Sequence, residues 1–276
     1  MKENSSIFTP KGSPVSYVIF VPGGNATALV EKLGYTPEVR KAINDKIMAD
    51  NSELVEQVGF VERGSQPELK MAGGEFCGNA TRSAAFYYLN GKPGEIKIKV
   101  NEDYINAGVY ENGDAWCEIP LYFGDDVIVE LETGIHKVKM NGMTTLVIRD
   151  DVAAEYLADR DNIKEHGMHF IHHYHLDECE AVGVMFLEKV DSALKINPVV
   201  WVRAIDTLFY ETACGSGTTA TVMVESYLSR ESKSMDILQP SGHKITAQIE
   251  YDEGKILNAR ISGVVETDNC AKEFYL

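Results

Sequence analysis

The sequence predicts an α+β fold of two similar halves, and three observations lead to this prediction. Strand-like runs, rich in β-branched residues or alternating in polarity, outnumber helical segments along the whole chain. Each half contains one long apolar helical segment, residues 82–89 and residues 219–228. A glycine-rich stretch with a cysteine directly before a glycine precedes each segment, Cys77 in the first half and Cys214 in the second. Each half is therefore expected to combine many strands with one long helix.

The first half is predicted to consist mostly of strands. Residues 36–48 are an exception, because Thr36 can cap a helix, Pro37 suits its first turn, and apolar residues recur at four-residue spacing. Residues 22–25 and 91–94 have the glycine and proline of turns. The strand-like runs are residues 15–21, 26–30, 54–61, 95–100, 104–110 and 115–119.

The second half repeats this order. Residues 152–159 are predicted as a helix or turn, and residues 239–242 as a turn. A soft boundary between the halves is placed near residues 125–135, where no low-complexity linker occurs. The strand-like runs are residues 126–131, 136–140, 143–148, 167–174, 181–187, 198–204, 234–238, 244–250 and 259–265.

Composition limits the classes of function. The 276 residues suffice for one large or two medium domains, and 44% hydrophobic with 25% charged residues is typical of a soluble globular protein. The net charge of −16 argues against nucleic acid and anionic membranes as partners. No apolar run approaches the ~20 residues of a membrane span, and residues 1–11 show no apolar signal region. A cytoplasmic protein is the expectation.

The five cysteines are expected to be free thiols. Their number is odd, no secretion signal is recognised, and no Cys-x-x-Cys unit is present, so neither a disulfide framework nor a structural zinc site is expected. Cys117, Cys179 and Cys270 have no special context and are interpreted as structural. Cys77 and Cys214, which are 137 residues apart, are expected at helix starts, where free N–H groups and the helix dipole stabilise an anion. A lowered thiol pKa is predicted there.

Two thiols in two similar halves predict a cleft with one thiol on each face. A carbon acid held between them can lose its α-proton to a thiolate and regain one from the facing thiol on the opposite side, which is the chemistry of a racemase or epimerase. The N–H groups of Gly78, Asn79, Gly215 and Ser216 are then expected to hold the substrate carboxylate and the charge that develops as the proton leaves. A small-molecule carbon acid that carries a carboxylate is therefore the expected substrate, and no cofactor is expected.

The two cysteine motifs, residues 77–80 and 211–217, resemble the signatures of cofactor-independent amino-acid racemases typified by diaminopimelate epimerase. Residues 71–81, 56–60, 24–25 and 239–242 look similar to the histidine racemases of staphylopine-type metallophore pathways. The resemblance covers nearly the whole chain. It implies that each half, residues 1–130 and 131–264, is a strand-rich barrel around its central helix, and that the last strand, residues 265–276, returns to the first half.

Departures from diaminopimelate epimerases bear on the substrate. Those enzymes carry Glu-Arg-Gly before the second cysteine, and that Arg grips the distal carboxylate; here the counted position is Asp206. Those enzymes also carry Gly-Asn-Pro-His. Residues 141–144 here are Asn-Gly-Met-Thr, which has neither an Asn after the glycine nor the His. Without an arginine fork, a second carboxylate is not favoured. A mono-carboxylate amino acid with a neutral or cationic side chain is expected, histidine first, with diaminopimelate or another basic amino acid as the alternative.

Further site residues follow from position and resemblance. Asn25 fits a turn residue or a substrate contact, and the resemblance favours the contact. Gln57 fits a backbone partner or a substrate contact equally well. Glu75 and Glu211 precede the two cysteines, and Glu211 is favoured to receive the substrate ammonium.

The histidine cluster and a non-enzymatic function are two further points. The cluster of His166, His169, His172, His173 and His175 shows no recognised metal-ligand spacing, and no metal is expected; in a strand, His169, His173 and His175 would share a face opposite His172. The non-enzymatic alternative is a binding relative similar to phenazine-pathway proteins, against which the paired thiols argue. A homodimer is possible.

Overall fold

The structure is a computed structural model that describes residue 12 and residues 14–51, 54–64 and 66–276. Residues 1–11, on which the expectation of no signal region rests, lie outside the described residues. In the described part of the chain, no helix has both the length and the apolarity needed to cross a membrane.

The first half contains two helices and seven strands among the described residues. Helix α1 (Pro37–Asp50) begins as predicted: the Thr36 hydroxyl accepts a hydrogen bond from Val39 N at 3.4 Å, and Ile43 and Ile47 are buried. Helix α2 (Gly78–Leu89) follows Cys77. The strands are β1 (Pro14–Pro22), β2 (Ala26–Val30), β3 (Val55–Phe60), β4 (Glu68–Met71), β5 (Gly94–Val100), β6 (Asp103–Val109) and β7 (Ala115–Glu118).

The described second half has three helices, α3 (Asp150–Leu157), α4 (Ile163–His173) and α5 (Gly215–Ser229). Its strands are β8 (Ile128–Glu132), β9 (Ile135–Met140), β10 (Met143–Ile148), β11 (Ala181–Val190), β12 (Ala193–Val202), β13 (Thr207–Tyr210), β14 (Lys233–Leu238), β15 (Lys244–Asp252), β16 (Lys255–Gly263), β17 (Val265–Thr267) and β18 (Lys272–Tyr275). Each predicted strand overlaps one of these except residues 167–174. Strands β4 and β13 were not predicted, and β18 lies within residues 265–276, the last strand that the resemblance implied.

The predicted strand at residues 167–174 is wrong, because these residues belong to α4 and the turn after it. Ile163, Gly167, Phe170 and Ile171 are its buried residues, and their spacing of three and four is the period of a helix. A short run with aromatic and β-branched residues does not by itself separate the two periods. The strand faces assigned to the histidines therefore do not apply to this helix. His169 and His173 still share a face, because they are one helical turn apart and their rings stack with centroids 5.9 Å apart.

Helices α2 and α5 are the two buried helices at the middle of the fold. Helix α2 packs against β5, β6 and β7 and also against β1 and β2, and α5 packs against β10, β14, β15 and β16. Nine residues of α2 and eleven of α5 are buried, which is expected of helices that are covered on all sides rather than along one stripe. The two helices also contact each other.

Strand pairing joins the two parts of the chain at two places. Strand β16 pairs antiparallel with β7, with Ile261 opposite Cys117. Strands β17 and β18 both pair antiparallel with β1. The chain end therefore lies against the first strand, and the segments that carry Cys77 and Cys214 lie in one continuous core, which includes Ile119 and Ile261.

Candidate active site

Two cysteines occupy equivalent positions at the starts of two helices. Cys77 is the N-cap of α2, with φ −130° and ψ 113°, and Cys214 is the N-cap of α5, with φ −129° and ψ 112°. Each Sγ accepts a hydrogen bond from the backbone N–H three residues on, from Ala80 at 3.4 Å and from Gly217 at 3.3 Å. The thiols thus take the part that Ser or Asp usually plays in capping a helix, and the predicted placement at helix starts is confirmed.

The starts of α2 and α5 approach each other because the residue after each cysteine is glycine. A Cβ on Gly78 or on Gly215 would lie 2.7 Å from Cδ1 of the same side chain, Ile261. The Asn79 side chain closes the gap between the helix starts by donating a hydrogen bond to Ala213 O at 2.9 Å. Glycine is required here for close approach, and the consequence is that both thiols face one cavity.

That cavity has a volume of about 50 Å³ and is lined by both cysteines. Space for a water molecule takes roughly 10–15 Å³, so the cavity holds a few waters and must widen to admit an amino acid. The four residues predicted to supply backbone N–H groups, Gly78, Asn79, Gly215 and Ser216, all line it. Its other polar lining residues are Asn44, Glu56, Gln57, Glu75, Thr207 and Glu211.

Gln57 and Asn25 are arranged one behind the other beside Cys77. Gln57 lines the cavity, and its Oε1 accepts a hydrogen bond from the Cys77 thiol at 2.8 Å. Its Nε2 donates to Thr27 Oγ1 at 2.9 Å and, in a short contact, to Asn25 Oδ1. Asn25 itself is fully buried and does not line the cavity. The Gln57 side chain lies between Asn25 and the cavity, so the predicted contact of Asn25 with the substrate stays a prediction.

Glu56 is a site residue that the sequence analysis missed. Its carboxylate accepts hydrogen bonds from Asn25 Nδ2 at 2.6 Å, from Thr212 N at 3.1 Å and from Thr212 Oγ1 at 2.5 Å. Burial raises the pKa of Glu56, and the hydrogen bonds from Thr212 and Asn25 oppose that rise. An acidic residue next to Gln57 in strand β3, whose remaining residues are apolar or glycine, was the signal that could have identified it.

Two further carboxyl groups, Glu75 and Glu211, lie in the cavity with shifted pKa values. Burial raises the pKa of Glu75 to about 7, and its Oε2 is buried without a hydrogen-bond partner among the described residues. Burial, followed by the charges of Glu56 and Glu75, raises the pKa of Glu211 to about 8. The Glu211 carboxyl also lies within hydrogen-bonding reach of the Cys214 thiol. A cavity with three acids and raised pKa values favours a cationic ligand group.

The predicted lowering of the thiol pKa values is wrong in this structure. Burial raises the pKa of Cys77 and that of Cys214 far above the ordinary value, and nearby Glu211 raises both further. The N–H groups of Ala80 and Gly217 act in the predicted direction but are outweighed. The helix start does stabilise an anion, yet desolvation and neighbouring carboxylates cost more than it gains.

A fully buried cation, Arg82, lies one turn into α2 and was also missed. Its Nη2 donates to Asn79 Oδ1 at 2.9 Å, while Nε and Nη1 have no hydrogen-bond partner among the described residues. Burial lowers the pKa of Arg82. Because Arg82 occupies the Asn79 carbonyl, the amide nitrogen of Asn79 is left to bind Ala213 O, so this cation fixes the bridge between the two helix starts.

Gln239 and Ser241 support the segment that leads to Cys214. The fully buried Gln239 accepts a hydrogen bond from Cys214 N at 3.0 Å and donates to Thr218 Oγ1 at 3.0 Å. The Ser241 hydroxyl donates to Gly23 O at 2.7 Å, which ties this turn to the turn after β1. Residues 239–242 therefore position the second thiol and do not line the cavity.

The other residues that line the cavity are apolar. They include Phe76, Met143, Ala181, Val200, Val202, Ile205 and Phe209. Asp206, which was expected near the substrate side chain, is exposed and does not line the cavity. Its left-handed backbone conformation, with φ 52°, places Ile205 and Thr207 at the cavity instead. Among the described lining residues none is Lys, Arg or His.

The remaining candidate groups lie away from this cavity. Cys117 is buried, Cys179 is half-buried and Cys270 is exposed, and none of them lines it. Among the described residues, no group of three or more His, Cys, Asp or Glu side chains is arranged to hold a metal ion.

Comparison with known sequences identifies relatives over nearly the whole chain. A family model described as the histidine racemase CntK N-terminal domain matches residues 14–273. A histidine racemase from Fusobacterium nucleatum is 25% identical over 256 residues, covering 87% of this chain and 91% of that protein. A histidine racemase from Staphylococcus aureus is 24% identical over 245 residues, covering 83% of this chain and 86% of that protein.

Comparison with solved structures shows the same fold at low identity. A hydroxyproline epimerase from Agrobacterium vitis with bound trans-4-hydroxy-L-proline superimposes with a TM-score of 0.60 and 10% identity, over 95% of this chain and 93% of that one. A phenazine biosynthesis protein of the PhzF family from Enterococcus faecalis gives a TM-score of 0.57 and 16% identity, over 96% of this chain and all of that one. The fold is thus the mixed sheet-and-helix fold of these epimerases and PhzF proteins.

Proposed function

The chain belongs to the family of the histidine racemase CntK N-terminal domain, and from this premise we propose that it interconverts L- and D-histidine without pyridoxal phosphate. The observation that carries the proposal is the pair of N-cap thiols, Cys77 and Cys214, on one cavity. One thiol as thiolate removes the α-proton, and the other donates a proton to the opposite face of Cα. The sulfurs exchange roles when the reaction runs in reverse.

The helix starts supply the groups that bind the carboxylate. Gly78, Asn79, Gly215 and Ser216 are the first two residues of α2 and of α5, and the N–H groups of a helix's first turn lack intrahelical partners. Directed at one cavity, they bind the substrate carboxylate and stabilise the enediolate charge that forms when the α-proton leaves. A buried carbanion without such donors would be far less stable.

Glu211 receives the substrate ammonium, with Glu56 and Glu75 nearby. The raised pKa values of these acids express the cost of burying negative charge without a cation. An ammonium group removes that cost and returns the carboxyls to their ionised form. It also offsets the charge on the catalytic thiolate, so ligand binding and thiol ionisation support each other.

The apolar lining residues receive the substrate side chain. Ile205, Phe209 and Met143 offer an apolar surface to an aromatic ring, and Thr207 and Glu75 can bind its two nitrogens. A distal carboxylate would meet no cation among the described lining residues, and an unpaired buried charge costs several kcal/mol. The cavity therefore disfavours diaminopimelate, while a basic amino acid remains compatible with the acids.

We also propose that residues 1–130 and 131–264 are related barrels around α2 and α5, with residues 265–276 joined to the first. The matched N-caps and the pairing of β17 and β18 with β1 support this arrangement. Five free thiols suit a reducing compartment, which supports a cytoplasmic location. The homodimer, and the absence of nucleic-acid and membrane partners, stay predictions.

The test is incubation of the protein with L-histidine in heavy water without pyridoxal phosphate. We expect D-histidine to form and deuterium to appear at Cα. Parallel values of kcat/KM for L-histidine, L-lysine and LL-diaminopimelate identify the substrate, with histidine expected to exceed diaminopimelate about a hundredfold for a ~3 kcal/mol penalty. Turnover of diaminopimelate above histidine would contradict the proposal, and a higher value for lysine would retain the chemistry and change the substrate.

A further inference from the structure

The two thiols of the cavity differ in the hydrogen bonds that their sulfurs make. Cys77 donates its proton to the carbonyl oxygen of Gln57 at 2.8 Å. Among the described residues, no amide carbonyl takes this position at Cys214; its sulfur lies 3.6 Å from the Ser216 hydroxyl. A thiolate at Cys77 would face a carbonyl oxygen that cannot donate, whereas a thiolate at Cys214 would face a hydroxyl that can.

The orientation of the Gln57 amide is fixed by a chain of hydrogen bonds that begins at Glu56. The Glu56 carboxylate only accepts, so Asn25 must direct its Nδ2 towards it, at 2.6 Å. Asn25 Oδ1 then faces Gln57, which must direct its Nε2 towards Asn25 and Thr27. Turning either amide around would bring two acceptors or two donors together inside a buried network, which is costly.

The same carboxylate also connects the two cysteine segments. Glu56 accepts from both the backbone and the hydroxyl of Thr212, two residues before Cys214. The Glu56 carboxylate therefore fixes the orientation of the Asn25 and Gln57 amides beside Cys77. It also holds the segment that carries Cys214 through Thr212. Burial raises the pKa of Glu56, and its three donors are what keep a carboxylate tenable there.

We propose that Glu56, Asn25 and Gln57 are positioning residues that hold Cys77 as a thiol, so that in the substrate-free enzyme Cys214 is the base and Cys77 the acid. The roles of base and acid rest on the proposed racemase function. The first test below, which measures the reactivity of the thiols, does not depend on that function. The Ser216 hydroxyl supports it, because a hydrogen bond from this hydroxyl favours the thiolate form of Cys214. The Gln57 carbonyl beside Cys77 can only accept and favours the thiol form.

The proton balance of one turnover follows from this resting state. The α-proton moves to the Cys214 thiolate, and the Cys77 thiol gives its proton to the opposite face of Cα. The product leaves behind a Cys214 thiol and a Cys77 thiolate. Uptake of one proton from water at Cys77 and loss of one at Cys214 restore the resting form, and the Gln57 carbonyl favours this return.

The first test measures alkylation of the two thiols by iodoacetamide in the substrate-free protein, read by mass spectrometry of the two cysteine peptides. The ratio of the Cys77 rate to the Cys214 rate is the criterion, because both thiols line one cavity and a change in access affects both. Gln57→Met removes the acceptor, and Glu56→Gln allows both amides to turn so that an N–H faces Cys77. We expect the ratio to rise roughly fivefold to tenfold in each variant.

The matched control is Asp206→Asn, which makes the same carboxylate-to-amide change at an exposed residue that does not line the cavity. Circular dichroism establishes that each variant is folded. If the alkylation ratio of Gln57→Met and that of Glu56→Gln both equal the ratio of the control, the hydrogen-bond chain from Glu56 to Gln57 does not keep Cys77 protonated. The inference is then wrong.

The second test uses the cysteines themselves. In heavy water, Cys77→Ser retains the resting base and is expected to exchange the α-proton of one histidine enantiomer. Cys214→Ser retains only a thiol held by Gln57 and is expected to exchange neither at a comparable rate. Equal exchange by the two variants would contradict the inference. If the wild-type protein does not racemise histidine at all, the proposed function is wrong. The alkylation ratio still tests whether the hydrogen-bond chain keeps Cys77 protonated.

Discussion

Removing the charge of Glu211 is expected to stabilise the protein at high pH and not at low pH. Burial and neighbouring acids raise its pKa from 4.5 to about 8 in the folded chain. Between these two values the unfolded chain loses the proton while the folded chain keeps it. Stability therefore falls as pH rises through this window and levels off above about pH 8. Glutamine cannot ionise, so Glu211→Gln removes this loss.

The magnitude follows from the pKa. At about 1.4 kcal/mol for each pKa unit, a change from 4.5 to about 8 amounts to at most roughly 5 kcal/mol above pH 8. Glu211 is half-buried, and solvent screening reduces this figure. We therefore expect the free energy of unfolding of Glu211→Gln to exceed that of the wild type by about 2–4 kcal/mol at pH 8.5. At pH 5 the wild-type side chain is protonated and nearly isosteric with glutamine, so little difference is expected.

The assay is urea denaturation of both proteins at pH 5 and pH 8.5 at constant ionic strength. Glu178→Gln is the matched control, because the Glu178 side chain is 97% exposed and its pairing with Arg203 is a surface contact worth little. A gain of the same size at both pH values, or no gain at pH 8.5, would refute the argument that Glu211 is buried at a cost which the ligand ammonium relieves.

Three further predictions follow. Cys77→Ser and Cys214→Ser should each abolish racemisation measured by chiral chromatography, because a serine hydroxyl is hardly ionised near neutral pH and turnover needs both groups; near wild-type turnover in either would exclude the two-thiol mechanism. Saturating histidine should change the small-angle scattering profile relative to the free protein, since a cavity of about 50 Å³ must open and close around its substrate, and identical profiles would count against a movement of the two halves. Asp206→Asn should leave the ratio of kcat/KM for histidine and lysine unchanged, because Asp206 is exposed and does not line the cavity; a shift towards either substrate would place its charge in the site.

The paired cysteine motifs are the part of the site that local sequence specifies. An N-cap, a glycine after it and an apolar helical run are properties of neighbouring residues, and the two caps have almost the same backbone angles. The same holds for α1, whose cap and buried face were read from Thr36, Ile43 and Ile47. Where the local pattern was ambiguous, as in residues 167–174, the prediction failed, because a short apolar run fits both a helix and a strand.

The protonation state of the site is a tertiary property. Glu56 lies 156 residues before Thr212, and Gln57 lies 20 residues before Cys77, yet both contacts set which groups can ionise. Burial reversed the pKa change predicted for the thiols, since the effect of a helix start extends over one turn while desolvation depends on every element that covers the cavity. Asp206 is likewise exposed, in a left-handed conformation between two residues that line the cavity, which counting along the chain could not reveal. The sequence by itself determined which two thiols cap the central helices α2 and α5. Packing of distant segments decided which neighbours, charges and amide orientations those thiols meet, because the free energy of a buried charge depends on its whole surroundings.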